Sequence, residues 1–541
     1  MKNTLVLKNN VVLIVVAAIL LISLNFIPET FRPIPVALVL VLVFLRFLMP
    51  WIKKRTVTYE VDDTLIYLVT HMYAVSTGKP PRRRIFELNN IAGGYGDYDR
   101  ILRRIATLAV EWGFGFAKAI RVVVKETRNK VFRDFLMRLG ELLNIGEDPE
   151  IFLDVERRAL LTEMQAHYGR IVEATKLLLG VYTSSISSAM FMAITVIIFS
   201  MLFSSSVNTV IAAYIGIAVA LIFLVYVLYR ILPRERLTHN IGEYPPERAK
   251  YRILLIIGTS LSVIAGLVIY GYSGNPSLAM SLGALPLLIP GFYAKKIEKK
   301  IREIEAFFPI FVRSFGLTYA TVPHTPKALT STLRSDYGPL TKYLQRLLAR
   351  LTIGVDPKVS WKKLIVETWS ELLRRNVNVL FDAIDAGGDL ANVGTVLSET
   401  SFRIMDIRKQ RIQVTKAFES TVYIIHSLLV AVLTFVLELL SIFYKLMSTL
   451  QTVETGMHII LPFQPIPLDT AILATVVFVI VMAITNAFAI KVAQGGMYET
   501  VWVPLSILLA ISGLVMFGIK FMSSMMFAEL LELTETFTTT V

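Results

Sequence analysis

The segment Ser76-Thr77-Gly78-Lys79-Pro80 places a glycine and a lysine together after two hydroxyl residues, the ingredients of a phosphate-binding loop. That loop needs another glycine five residues before its Gly-Lys pair and a Ser or Thr directly after the lysine. Backbone amides then wrap the phosphate and a hydroxyl holds magnesium. Tyr73 and Pro80 occupy those places. Nucleotide hydrolysis is excluded here, and any energy must come from a partner. The clusters Gly93-Gly94-Tyr95-Gly96 and Gly113-Phe114-Gly115 lack the strand-turn-helix setting of dinucleotide binding and read as turns. The chain has no cysteine, so thiolate metal sites, cysteine nucleophiles and disulfides are excluded, and its six histidines are scattered. No cofactor is expected.

Two other groups of residues carry charge where chemistry is done. Arg46, His426 and Glu438 fall within apolar stretches, where an ionisable group is expensive and should find a partner. They are too few for a proton-coupled transporter, and His426-Ser427 alone does not make an intramembrane protease. The basic clusters are Arg82-Arg83-Arg84, Arg374-Arg375, and Lys295, Lys296, Lys299, Lys300 and Arg302 directly after an apolar stretch. Juxtamembrane lysines attract anionic lipid headgroups at about 1 kcal/mol each. Arg82 to Arg84, far from any apolar stretch, fit docking of an acidic protein surface. Aromatic residues are not interleaved with these clusters as stacking on nucleic acid requires, so no nucleic acid is expected.

The elements that position these residues follow from hydropathy. The 541 residues are 55% hydrophobic and only 18% charged, with net charge +14 and mean hydropathy +0.61. Charge must therefore concentrate in segments that leave a bilayer. Nine stretches approach the roughly 20 apolar residues that cross the hydrocarbon: 11–29, 34–51, 181–204, 208–232, 252–272, 277–294, 420–446, 467–491 and 501–522. The first is an anchor and not a cleaved signal, because no small-residue cleavage site follows it. Connections 52–180, 230–251 and 295–419 are rich in Lys and Arg, whereas 30–33, 205–207, 273–276 and 447–466 carry almost none. The positive-inside rule puts the N-terminus and both long segments in the cytoplasm of a cell-membrane protein, and the tail outside.

The two long segments, each of about 125 residues, repeat one another. Phe132, Leu136, Leu139 and Leu143 form one apolar helix face, and Leu373, Val377, Leu380 and Ile384 reproduce it at an offset of 241. The same offset pairs Arg133 with Arg374, Gly146 with Gly387 and Asp148 with Asp389. Each helix thus ends in a glycine suited to the left-handed conformation, followed by an acidic residue that can cap the next helix. Tyr73 and Pro80 match Tyr319 and Pro326, and Tyr95-Gly96 matches Tyr337-Gly338. With no alternating β-branched runs, each segment reads as a bundle of five or six helices built by duplication. The fold class is all-α. The expected layout is a transmembrane hairpin (1–51), a first helical repeat (52–180), four spans (181–294), a second repeat (295–419), three spans (420–522) and a tail (523–541).

Several motifs then carry a family likeness. They are Tyr73-Ala-Val-Ser-Thr-Gly-Lys-Pro-Pro81, Ala306-Phe-Phe-Pro-Ile-Phe-Val-Arg-Ser-Phe-Gly316, Tyr337-Gly-Pro-Leu340, Gly387-Gly-Asp389 with Val393-Gly394, and Gly495-Gly496. On these, residues 52 to 500 resemble the type II secretion F-domain membrane proteins, and among them the assembly platforms of the archaellum. The resemblance implies a non-enzymatic platform at the base of a type IV pilus-like filament. Its implied partners are a hexameric cytoplasmic ATPase, filament subunits, other motor-complex proteins, membrane lipid and a second copy in a homodimer. ATPase motion would drive subunit insertion and, in an archaellum, rotation. An adhesive-pilus platform shares these features, and a secondary transporter is the reading from another class. The family's functional surface maps onto Arg82, Arg83, Arg84, Arg133, Arg374 and Arg375, with Lys295, Lys296, Lys299, Lys300 and Arg302 as further docking candidates. It also maps onto the turns Gly146 to Asp148 and Gly387-Gly388-Asp389.

Overall fold

The computed structural model describes residues 63–202, 207–232, 235–452 and 468–528. The expected spans 11–29 and 34–51, most of the connection 447–466 and the tail from residue 529 lie outside the described residues. Every regular element among the described residues is helical, and one isolated antiparallel bridge joins Thr238 to Ser370. The protein is an all-α, multi-pass membrane protein. Among the described residues, seven helical segments are long and apolar enough to cross a bilayer, and they overlap the seven expected spans from 181–204 onward.

The first repeat comprises α1 (Asp63–Ser76), α2 (Arg82–Phe86), α3 (Asp97–Ala106), α4 (Phe116–Val124) and α5 (Lys130–Ile145), and it leads into α6 (Pro149–Leu202). Next come α7 (Val207–Ile231), α8 (Pro246–Ser273), α9 (Pro276–Ala284) and α10 (Leu288–Thr321). The outer end of α10 opens the second repeat. It continues through α11 (Thr325–Thr332), α12 (Thr341–Thr352), α13 (Pro357–Thr368) and α14 (Glu371–Asp385), and leads into α15 (Leu390–Thr452). Helices α16 (Leu468–Gln494) and α17 (Trp502–Met526) complete the described chain.

The repeat is visible in the caps. Asn129 accepts a hydrogen bond from Phe132 N at the start of α5, and Ser370 accepts one from Leu373 N at the start of α14, again 241 residues apart. Both helices end where a glycine turns left-handed, Gly146 at φ 92° and Gly387 at φ 69°. Such a value strains a residue carrying a Cβ. Asp148 then caps α6 by accepting from Glu150 N, and Asp389 caps α15 by accepting from Ala391 N.

The helices that follow these turns do not stop at the membrane. α6 runs 54 residues and α15 runs 63, each a single helix from the outer end of a repeat into the apolar region. α10 enters from the opposite direction. The expected span 277–294 is broken at Leu285–Leu287 by a 3-10 turn holding Pro286, after which α10 continues 34 residues outward. Proline has no N–H to donate, so the chain re-forms its hydrogen bonding there.

The two repeats share one hydrophobic core. It extends from Leu65 through Met164 in the first and from Ile304 through Ile407 in the second. A separate apolar core joins α6, α7, α15, α16 and α17 within the membrane region. Close helix crossings use glycine. A Cβ on Gly316 of α10 would overlap the Leu390 carbonyl and come within 3.1 Å of Gly394 Cα on α15. One on Gly258 of α8 would stand 2.7 Å from Pro290 Cδ.

Candidate functional site

Helix α14 of the second repeat lies against α1 of the first, and their shared surface is polar at its centre. α1 is buried on every side from Leu65 to Ser76, and α14 is buried over most of its length, so His71 and Asp382 have only each other's surroundings to satisfy them. His71 is fully buried, with Nδ1 2.9 Å from the Tyr95 hydroxyl and Nε2 2.8 Å from Asp382 Oδ2. Asp382 also accepts from Arg84 and from Asn89 N at 2.8 Å. Burial pushes this carboxyl's pKa up, but the bonds and charges of His71 and Arg84 more than offset it and hold it below the usual aspartate value.

A second set of bonds extends the seam. Asn376 donates to the Tyr67 hydroxyl at 3.1 Å and accepts from Ser401, and Arg375 stacks its guanidinium over the Tyr67 ring. Arg374 donates to the carbonyls of Ala92 and Gly93 at 2.8 and 3.0 Å. Both arginines bind Glu371. Burial alone would raise that carboxyl's pKa, and the two guanidiniums bring it below the ordinary value. Removing one member of such a buried set leaves the rest charged and unpaired.

Where the repeats meet the membrane helices, a buried ion-pair junction forms. Arg408 reaches Glu305 at 2.9 Å and Glu235 at 3.3 Å, and Arg302 reaches Glu298 at 2.8 Å and Glu235 at 3.6 Å. Lys491 stands 3.6 Å from Glu298, which also accepts from Met497 N. Ser370, the cap of α14, donates to Glu305 at 2.5 Å. Arg411 donates to the Ala493 carbonyl at the end of α16. Gly495 and Gly496, both at φ 70°, let the α16–α17 connection pass beside Arg411 and Glu298. A small cavity lined by Asp63, Tyr168, Glu235, Arg408 and Arg411 lies beside it, between the first repeat and α15. The junction therefore ties α10, α14, α15, α16 and the segment after α7 at one level.

The basic residues singled out from the sequence divide into two groups. Arg84, Arg302, Arg374 and Arg375 are internal partners in the seam or the junction, and Lys300 pairs with Glu247 at 3.1 Å. Arg82 donates to the carbonyls of Leu143 and Gly146 at the end of α5. Arg83 pairs with Glu87 and Glu111 on the surface, and Arg133 lies 3.7 Å from Asp134. Lys295, Lys296 and Lys299 point outward from α10, Lys299 pairing loosely with Glu303. Gly388 is more than a terminator: a Cβ there would stand 2.8 Å from Thr77 Oγ1 and 3.0 Å from the Ala74 carbonyl, so its smallness lets the second repeat seat on α1. Asp389 N donates to that Thr77 hydroxyl.

In the membrane region His426 meets a serine the sequence did not pair with it. Its Nε2 lies 2.8 Å from Ser512 Oγ, and its Nδ1 lies 3.1 Å from Asn486 Nδ2. The direction of the bonds excludes a nucleophile. Ser512 donates its proton to the Leu508 carbonyl, so it accepts from Nε2–H; Asn486 donates to Nδ1 and accepts from the Tyr182 hydroxyl. A general base needs the reverse, with the histidine nitrogen taking the serine proton. Ser512 and His426 are also fully buried. The chain Tyr182–Asn486–His426–Ser512 joins α6, α16, α15 and α17 as interhelical hydrogen bonding. Glu438 is partly buried on α15 and is partnered.

Comparison with known proteins gives a consistent placement. Residues 311–440, from the outer part of α10 through most of the apolar span of α15, match the model of type II secretion system (T2SS), protein F. The chain is 29% identical over 467 residues to Flagella accessory protein J of Methanocaldococcus jannaschii, covering 83% of this chain and 82% of that one. It is 25% identical over 519 residues to Flagella accessory protein J of Methanococcus voltae, covering 93% and 92%. An uncharacterized protein of Methanocaldococcus jannaschii is 20% identical over 412 residues, covering 69% and 68%. No solved structure matches.

Proposed function

We propose that this chain, a protein of the type II secretion F-domain family, is the non-enzymatic membrane platform of an archaeal type IV pilus-like filament, the archaellum. In this reading it couples a hexameric cytoplasmic ATPase to insertion of filament subunits and to rotation. Its N-terminus and both repeats lie in the cytoplasm, and it works as a homodimer. The observation that carries the reading is the continuity of α6 and α15, each one helix from the far end of the fused repeats into the membrane region. A push or twist delivered to the repeats reaches the spans without crossing a loop. The shared core and the ion-pair junction at the base keep the repeats from yielding first.

Relatedness over most of the chain to proteins named for flagella supports the archaellum over an adhesive pilus. Deleting the gene tests this. Subunits should remain in the membrane with no filament and no swimming; normal filaments in the deletion strain overturn the reading, and loss of adhesion alone assigns the chain to a pilus.

A further inference from the structure

Trp112 is 67% exposed and Ile353 is 78% exposed, and they are repeat equivalents, again 241 residues apart. Each stands directly before a left-handed glycine, Gly113 at φ 69° and Gly354 at φ 83°, in the turn leading to α4 and α13 respectively. Phe114 and Val110 widen the first apolar tip, and Val359 the second. Duplication has kept a large apolar side chain in water at this place twice, whereas Ile145 and Ile151, which are similarly exposed, have Ala386 and Asn392 as their equivalents.

Both tips lie at the end of the repeats away from the membrane. α13 carries the chain from beside Ile353 to Trp369, which packs with Leu237, Ile297, Ile301 and Met497 near the junction. Its 12 residues span about 18 Å. Glu111, next to Trp112, pairs with Arg83, whose neighbour Arg82 binds the carbonyl of Gly146 at the outer end of α5. From there α6 needs some 30 residues, about 45 Å, to reach its apolar part. Lipid is out of reach. Beside the tips, Lys118 lies over the Phe114 ring, and Arg121 of α4 and Lys358 of α13 are exposed and make no ion pair with a described residue.

We propose that Trp112 and Ile353 are paired anchors of a docking surface for a soluble protein assembly that presents an apolar, acid-rimmed pocket more than once. Exposed apolar anchors demand pockets, unpaired cations demand carboxylates at the rim, and two equivalent tips demand a partner with repeated sites. The inference rests on the platform reading and names the surface that the motor ATPase meets.

The test uses the full chain in nanodiscs and its cognate motor ATPase, with Trp112→Ala, Ile353→Ala and the double variant, each checked for unchanged thermal unfolding. Each single change should weaken binding about tenfold and the double about a hundredfold or more, because two-point attachment is lost. Acrylamide quenching of Trp112, taken as the difference from Trp112→Phe, should be free in the chain alone and suppressed in the complex. Double-variant affinity within about twofold of the parent, with Trp112 still quenched in the complex, overturns this surface and leaves the platform reading standing. Protection of Trp112 in nanodiscs before ATPase is added assigns the tip to lipid and also overturns it. Failure of the parent chain to bind the ATPase at low salt removes the reading and the proposal together.

Discussion

His71 Nε2 lies 2.8 Å from Asp382 Oδ2, a fully buried contact between residues 311 positions apart that joins the two repeats at their centre. Neither helix presents its polar residue to solvent, so the pair has no purpose for a repeat folding alone. It makes the two copies one mechanical body, and several expectations follow from that.

Asp382→Ala leaves Arg84, His71 and Asn89 N without their shared acceptor. The cost is about 3 kcal/mol or more, since breaking a buried charge set is worse than never having it. Thermal unfolding in detergent measures it, and an unchanged midpoint would show that the repeats are held together by apolar contacts alone.

The same carboxyl sets an acid limit. Its folded pKa is below the ordinary 3.8, so its stabilising contribution is present above that value and is lost as pH falls through the lower folded one. Asp382→Asn should remove this acid-dependent part while leaving stability between pH 6 and 8 flat. A steep loss near neutral pH, abolished by the substitution, would contradict the assignment.

Charge reversal separates docking arginines from structural ones. Arg83→Glu and Arg133→Glu should slow association with the ATPase, more at low salt than high, and leave unfolding unchanged, because both side chains are exposed. Arg375→Glu places a carboxylate beside Glu371 in a buried seam and should prevent stable folding. Equal effects of all three on folding would erase the distinction.

Gly316→Ala drives a methyl into the Leu390 carbonyl where α10 crosses α15. Overpacking of this kind costs about 2 kcal/mol, whereas Gly180→Ala, with open space around it, should cost none by the same measurement.

Ser512→Ala tests the membrane hydrogen-bond chain. It leaves His426 Nε2–H without its acceptor and should lower stability by about 1 kcal/mol while filaments still form. Loss of filaments in a stably inserted variant would restore a chemical role for the pair.

Much of this architecture was legible in the sequence. Apolar length placed nine spans, and the seven that fall among the described residues are helices there, because only a helix satisfies its backbone in lipid. The constant offset located α5 and α14, and its agreement at Gly146 and Gly387 foretold their left-handed caps. The arginines were the harder part. Arg84 and Arg375 look like Arg83 in a one-dimensional reading, since the carboxylate that claims Arg84, Asp382, lies 298 positions away. The pairing of His426 with Ser512 was hidden for the same reason: long-range partners are set by how helices pack. Trp112 and Ile353 carried a signal in the offset itself, and the mismatch of their residue types concealed it.

The central claim is that this chain passes work between an ATPase and the membrane. The direct measurement is the ATP hydrolysis rate of the cognate motor ATPase titrated with the full chain in nanodiscs at low salt. The account predicts a saturable rise that Arg83→Glu weakens. A rate unchanged at every concentration, with solute flux through the same chain in liposomes, would contradict it and leave a transporter.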